Sequence, residues 1–243
     1  MKNQYACDIG DYTKLGLLRC IQKTSLNLGV NWYLTPDDGR SDGKFTEYLY
    51  MPDDGDDAEL HTTLRSLVDK GSRSISALET SGLLTGTRFF NDMLDFAECN
   101  DTAGRQRRRT RWHFDALANL KHCDVVFLDP DNGLEVASVK PYTKNGNKYV
   151  TYEEASDYYK SGASVIVYNH RDRSPEQRYL DRFLRFKTMT ETQNANLQIV
   201  RAFRTSVRDY VFLIQPKHLS ILQVCLDSIL QTSWSNHMRS VSV

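Results

Sequence analysis

Two hydrophobic rhythms divide the chain. Apolar residues recur at helical spacing through 14–21, 59–69, 150–159, 175–186 and 218–228, and each stretch predicts an amphipathic helix. Short runs of β-formers bounded by Gly, Pro, Asn and Asp predict strands at 31–34, 125–128, 163–168, 198–203 and 209–215. The stretch 73–79 alternates enough to be read as a further strand with Glu79 near its end. Residues 104–112 lead into a face formed by Trp112, Phe114, Leu117 and Leu120, which reads as a helix running toward the next strand. Gly162 stands where a helix C-cap is expected. The last two strands are separated only by residues 204–208, so they predict an antiparallel hairpin. Strands alternating with helices in this order predict an α/β fold: a Rossmann-like, doubly wound, mostly parallel sheet with an antiparallel C-terminal hairpin, in a single domain spanning 1–243.

The stretch Cys123 to Glu135, CDVVFLDPDNGLE, organises this layout. Val125 to Leu128 is apolar on both faces, as a central strand covered by helices must be. Pro130 ends the strand because it lacks an N–H and biases its predecessor toward an extended conformation. Asp129 is thereby set at the strand's carboxyl end, followed by the polar turn Asp131-Asn132-Gly133. Ligands of open α/β sheets bind at that edge. Two carboxylates, a carboxamide and Glu135 in one turn repel one another more than they stabilise a fold, which favours a functional reading. A plain loop with an Asp helix cap is the competing one, given the Asx-turn habits of Asp and Asn.

Composition narrows the classes. The chain has 243 residues, 40% hydrophobic and 26% charged, with zero formal net charge. No global field draws it to nucleic acid or to an anionic surface, so any basic site is local. Five scattered cysteines without CxxC spacing read as reduced thiols rather than as a disulfide frame or a zinc site. No apolar signal region and no membrane-length run stand out, so a cytoplasmic location is expected. Charge is uneven: residues 37–59 are acidic, and five arginines fall within 105–111. Arg105, Arg107, Arg108, Arg109 and Arg111 beside Trp112 suit phosphate contact and base stacking on RNA or DNA. The same residues also suit a solvated helix start.

Other candidates lie at predicted strand ends. Asp37-Asp38-Gly39 opens a glycine-punctuated loop after a strand, where an α/β fold receives a cofactor, although the loop lacks G-x-G-x-x-G spacing. Its second half, through 52–57, reads equally well as a solvated surface loop. Glu79 stands where an acidic strand end accepts ribose hydroxyls, or else as a helix-start carboxylate. His170 is delivered by strand 163–168 to the same carboxyl edge as Asp129.

In layout the chain resembles the Rossmann-type fold of S-adenosylmethionine-dependent methyltransferases. In residues it is similar to ribosomal RNA adenine-N6 methyltransferases and three-cysteine-motif partner proteins over 14–21, 32–39, 127–132 and 152–168. The resemblance implies S-adenosylmethionine held by Lys14, Asp37, Asp38, Gly39 and Glu79. It also implies an acceptor amino group held by Asp129, Pro130, Asp131 and Asn132, with His170 nearby. In that family the Asp side chain and the following carbonyl accept hydrogen bonds from the target amino group, and an aromatic residue stacks on the base. Asp131 and Asn132 stand here in place of a second Pro and the aromatic. Two other readings compete. A metal-dependent phosphoesterase or nuclease would hold Mg2+ on Asp37, Asp129, Asp131 and Glu135, with His170 beside them. A non-catalytic binding protein on a degenerate methyltransferase fold would need none of these groups.

Overall fold

The computed structural model describes residues 1–39, 42–51, 57–204 and 206–242. Its centre is a seven-stranded mixed sheet built from β1 (Leu28–Asn31), β2 (Arg88–Phe90), β3 (Val125–Leu128), β6 (Ser164–His170), β7 (Asn196–Ala202), β8 (Arg208–Ile214) and β9 (Met238–Val241), in the spatial order β2-β1-β3-β6-β8-β7-β9. The first four in that order pair parallel. The next three pairings are antiparallel, and β8 lies between β6 and β7. The expected hairpin is therefore present. Its second strand is the one that joins the parallel half, and β9 adds an edge that the sequence pattern did not suggest. Two further strands, β4 (Gly133–Leu134) and β5 (Tyr149–Val150), form a small parallel pair beyond the end of β3.

Alternation along the buried strands explains the layering. Val125, Phe127, Ile166, Tyr168, Tyr210 and Phe212 face one core, together with α1 (Ile9–Gln22), α2 (Ala58–Asp69), α3 (Ile75–Thr80) and α7 (Leu219–Leu230). Val126, Leu128, Val165, Val167, Val211 and Leu213 face the other, against α4 (Thr102–Asn119), α5 (Tyr152–Lys160) and α6 (Glu176–Leu184). A strand covered on both faces is apolar at every position, and β3 is fully buried along its length.

Three expectations need correction. The strand expected at 31–34 is shifted toward the N-terminus and ends at Asn31, whose Oδ1 takes the Tyr33 amide at 2.9 Å. That local bond replaces a ladder partner, and Tyr33 turns to φ 44°. The alternating segment around Glu79 is a helix: Ser74 caps α3 by accepting from the Ala77 amide, and Ile75 and Leu78 bury their side chains three residues apart. The neighbouring strand is instead Arg88–Phe90. On α4, Phe114 does not join the Trp112 face. Trp112, Ala116 and Leu120 are buried at fourfold spacing, while Phe114 is 66% exposed on the opposite side.

Candidate functional site

The strand order reverses between β1 and β3. The chain leaves β1 toward β2 on one side and leaves β3 toward β6 on the other, which makes the carboxyl ends of these two strands the natural crevice of the sheet. Asp129 follows β3 directly and is 1% exposed. Its Oδ2 receives the Lys14 ammonium at 2.7 Å, whereas its Oδ1 is buried and has no hydrogen-bond partner among the described residues.

Lys14 reaches this point from α1, one turn beyond the helix start. Asp8 caps that helix by accepting from the Gly10 and Asp11 amides at 2.8 and 3.3 Å. Asp11 then meets the Lys14 ammonium at 2.7 Å with one oxygen and accepts the Cys7 amide with the other. The ammonium also lies 4.9 Å from the Tyr168 ring centre and 5.9 Å from that of Trp32. Burial by itself lowers a lysine pKa, but the paired Asp11 and Asp129 carboxylates outweigh it and hold Lys14 charged, well above the ordinary value. Burial likewise raises the Asp129 carboxyl, with the Lys14 charge opposing.

The turn after Asp129 is braced from several directions. Asp131 meets the Met1 ammonium at 2.8 Å and Lys2 at 3.5 Å, and accepts from the Thr35 hydroxyl. Burial pushes its carboxyl up, but these cations hold it below the usual carboxylate value. The Met1 ammonium also donates to the carbonyls of Tyr33 and Asp129, bridging the ends of β1 and β3. The Asn132 amide bonds Lys148 O, and the Glu135 amide bonds Val150 O. Gly133 adopts φ 107°, and a Cβ there would come within 2.2 Å of Asn169 Oδ1. Only glycine lets Asn169 approach closely enough to accept the Leu134 amide at 2.8 Å while donating to the Tyr179 hydroxyl.

A cavity of about 480 Å3 opens over these groups. Its wall combines the start of α1 with Asp129, Pro130, Asp131 and Asn132, the Tyr168 and His170 end of β6, and Arg208 at the start of β8. Five aspartates line it, against the side-chain cations Lys14 and Arg208. Burial, followed by the Arg208 charge, drives His170 down to about 3, so its imidazole is neutral at physiological pH. Burial and the nearby Asp11 raise Asp8 to about 6, against the pull of Lys14. Arg208 pairs across the strands with His170, and its Nε is buried without a partner among the described residues.

The structure gathers Lys14, Asp129, Pro130, Asp131, Asn132 and His170 at this cavity. It does not gather the expected cofactor set. Asp37 accepts the Gln4 amide, Asp38 pairs with Lys2 on the far side of Met1, and Gly39 stands in open space. Glu79 is occupied by Trp32 Nε1 and Asn91 Nδ2, both at 2.8 Å. Of the four carboxylates of the metal reading only Asp129 and Asp131 share this cavity: Asp37 accepts the Gln4 amide, Glu135 accepts the Tyr152 amide at the start of α5, and no group of three or more His, Cys, Asp or Glu among the described residues is placed to hold a metal ion. Asp8, Asp11, Tyr168 and Arg208 line the cavity without having been singled out in the sequence. The Asp-x-x-Asp-x-x-Lys spacing at the start of α1 is a signal for the first two, since residues three apart share a helix face. Tyr168 and Arg208 carry none.

The arginine cluster separates into distinct roles. Arg109 is buried and clasps Glu154 through Nε and Nη2, each at 2.6 Å, while also donating to the carbonyls of Pro141, Gly146 and Tyr149. It is a brace between α4 and α5 and has no donor left for a phosphate. Arg105 donates to the carbonyls of Tyr142 and Cys99, and Arg108 to that of Met93. Arg107 and Arg111 are exposed beside Phe114. Among the described residues no helix is long and apolar enough to cross a membrane. Comparison with known proteins finds no matching family model, no matching curated protein and no matching solved structure.

Proposed function

We propose that the chain is a Rossmann-like methyltransferase whose acceptor is an amino group on a nucleic acid or nucleotide, held at Asp129. The observation that carries this reading is the divided carboxylate of Asp129, a residue of the cavity wall: Oδ2 is fixed by Lys14, and Oδ1 is buried with no hydrogen-bond partner among the described residues. Leaving a buried carboxylate oxygen unpaired costs about 1–3 kcal/mol, a cost that a ligand N–H recovers on binding. The antiparallel strand β8, set between β6 and β7, supports the same resemblance.

S-adenosylmethionine, when bound, supplies an electrophilic methyl group and carries a cationic sulfonium. A wall with five aspartates suits that charge. The remaining work belongs to the chain. Asp129 Oδ1 accepts an acceptor N–H and so turns the nitrogen lone pair into the cavity, while Lys14 keeps the carboxylate from rotating. His170 stands at the same wall as a neutral imidazole, held so by burial, and the proton that the amino nitrogen releases passes to solvent. Arg107, Arg111 and Phe114 on the outer face of α4 offer charge and a ring to a polynucleotide.

Calorimetric titration with S-adenosylmethionine tests this reading on the wild type, Asp129→Asn and Asp8→Asn. Saturable binding that both substitutions weaken supports it. An absence of binding to a folded wild-type protein overturns it.

A further inference from the structure

A second cavity of about 440 Å3 is lined by Lys2 and carries the opposite balance of charge. Its wall carries Lys2, Arg105, Lys144 and Lys148 against Asp38 and Asp95. Lys2 is committed to Asp38 and Asp131, and Arg105 donates to the Cys99 and Tyr142 carbonyls. Lys144 and Lys148 differ, since neither has an ion-pair partner among the described residues. Lys148 closes the 3-10 turn Gly146–Lys148 and Lys144 precedes it, so two lysines without a direct ion pair among the described residues line one cavity, with Lys148 also drawn electrostatically toward Asp131.

A second observation comes from Asn147, between them. It is 6% exposed, its Nδ2 donates to the Leu94 carbonyl at 2.9 Å, and its Oδ1 is buried with no partner among the described residues. A buried amide oxygen of this kind calls for a donor that the protein does not supply. Phe96 adds an apolar ring to the wall, and Asp95 a carboxylate suited to hydroxyl groups.

We infer that this cavity binds a nucleoside monophosphate, with its phosphate between Lys144 and Lys148 and an N–H or O–H of its nucleoside donating to Asn147 Oδ1. The size of the cavity is ordinary for such a ligand. Lysine acts on phosphate as a point charge, so the contact tolerates either ammonium position and weakens with salt. The inference goes beyond the methyl-transfer reading and does not depend on it, because none of these residues touches Asp129 or Lys14.

The test is calorimetric titration of the full chain with the adenine, guanine, cytosine and uracil nucleoside 5′-monophosphates, with the matching nucleosides, and with inorganic phosphate. At least one monophosphate is expected to bind saturably and at least about tenfold more tightly than either its nucleoside or phosphate alone, since each half contributes. Lys144→Gln with Lys148→Gln, both at the surface of a turn, is expected to weaken that monophosphate by about tenfold or more, and raised salt to weaken it further. Asn147→Asp, which introduces an anion at the same point, is expected to abolish it. Asp129→Asn is expected to leave it unchanged, which separates failure of this site from failure of the other. Absence of saturable binding by all four monophosphates overturns the inference, as does equal affinity in the double lysine variant. Phosphate binding as tightly as the nucleotides marks a simple anion site and also overturns it.

Discussion

Lys14 Nζ and Asp129 Oδ2 meet at 2.7 Å inside the protein, joining α1 to the carboxyl end of β3 while leaving the other Asp129 oxygen without a partner among the described residues. The pair is both a structural link and the anchor of the cavity. Because Lys14 also neutralises Asp11, its removal strands two buried carboxylates. Lys14→Met is expected to destabilise the fold by about 3–5 kcal/mol, the range for breaking a buried ion pair from one side. Asp129→Asn leaves Lys14 with Asp11 and is expected to cost clearly less. Urea unfolding of the two variants checks the order, and equal losses would count against it.

Arg109 and Arg107 differ by two positions on one helix and are expected to behave oppositely. Arg109→Ala leaves Glu154 buried without its cation and is expected to cost about 3–5 kcal/mol. Arg107→Ala is expected to leave the unfolding midpoint unchanged and to weaken polynucleotide binding together with its salt dependence. Thermal unfolding and a filter-binding titration of both variants separate a brace from a contact residue.

Gly133→Ala places a Cβ against Asn169 Oδ1 at a left-handed backbone position. The Asn169 to Leu134 bond that ties the turn to β6 cannot survive it. The expected loss is about 1–3 kcal/mol or more, accompanied by weakened ligand binding at the cavity. Native-state hydrogen exchange at the Leu134 amide is the direct readout, and retained protection there would refute the account.

The pH response follows from His170 and Asp8. His170 is held down to about 3 from 6.5, chiefly by burial, so the unfolded chain binds its proton first. Stability from this residue is complete above about 6.5 and falls as pH drops through that window. Asp8 is raised to about 6 from 3.8, so its contribution runs the other way and is lost as pH rises between those values. Melting temperatures from pH 7 to 4 are therefore expected to fall less steeply in His170→Asn than in the wild type. Binding of a cationic ligand at the cavity is expected to weaken below about pH 6, as Asp8 loses its charge. A His170→Asn profile parallel to the wild type would remove His170 from this account.

Pattern alone made several elements legible. A run apolar on both faces, stopped by Pro130, defines β3 to the residue, and the helices expected at 59–69, 150–159 and 218–228 are present at 58–69, 152–160 and 219–230, whereas the one expected at 14–21 starts five residues earlier, at Ile9. The same logic put Asp129 and His170 at one edge, because parallel strands share a carboxyl end. These features are local, set by backbone geometry and by which residues avoid water, and so the chain determines them by itself. Tertiary structure decided the rest. Whether a charged residue is a brace or a contact depends on what reaches it from elsewhere in the chain: Arg109 is spent on Glu154, Glu79 on Trp32, and Asp131 on the Met1 ammonium and Lys2. Their sequence neighbourhoods contain none of these partners. Charge pairing between distant segments also divides the sheet edge into one acidic and one basic cavity, although the chain as a whole has no net charge.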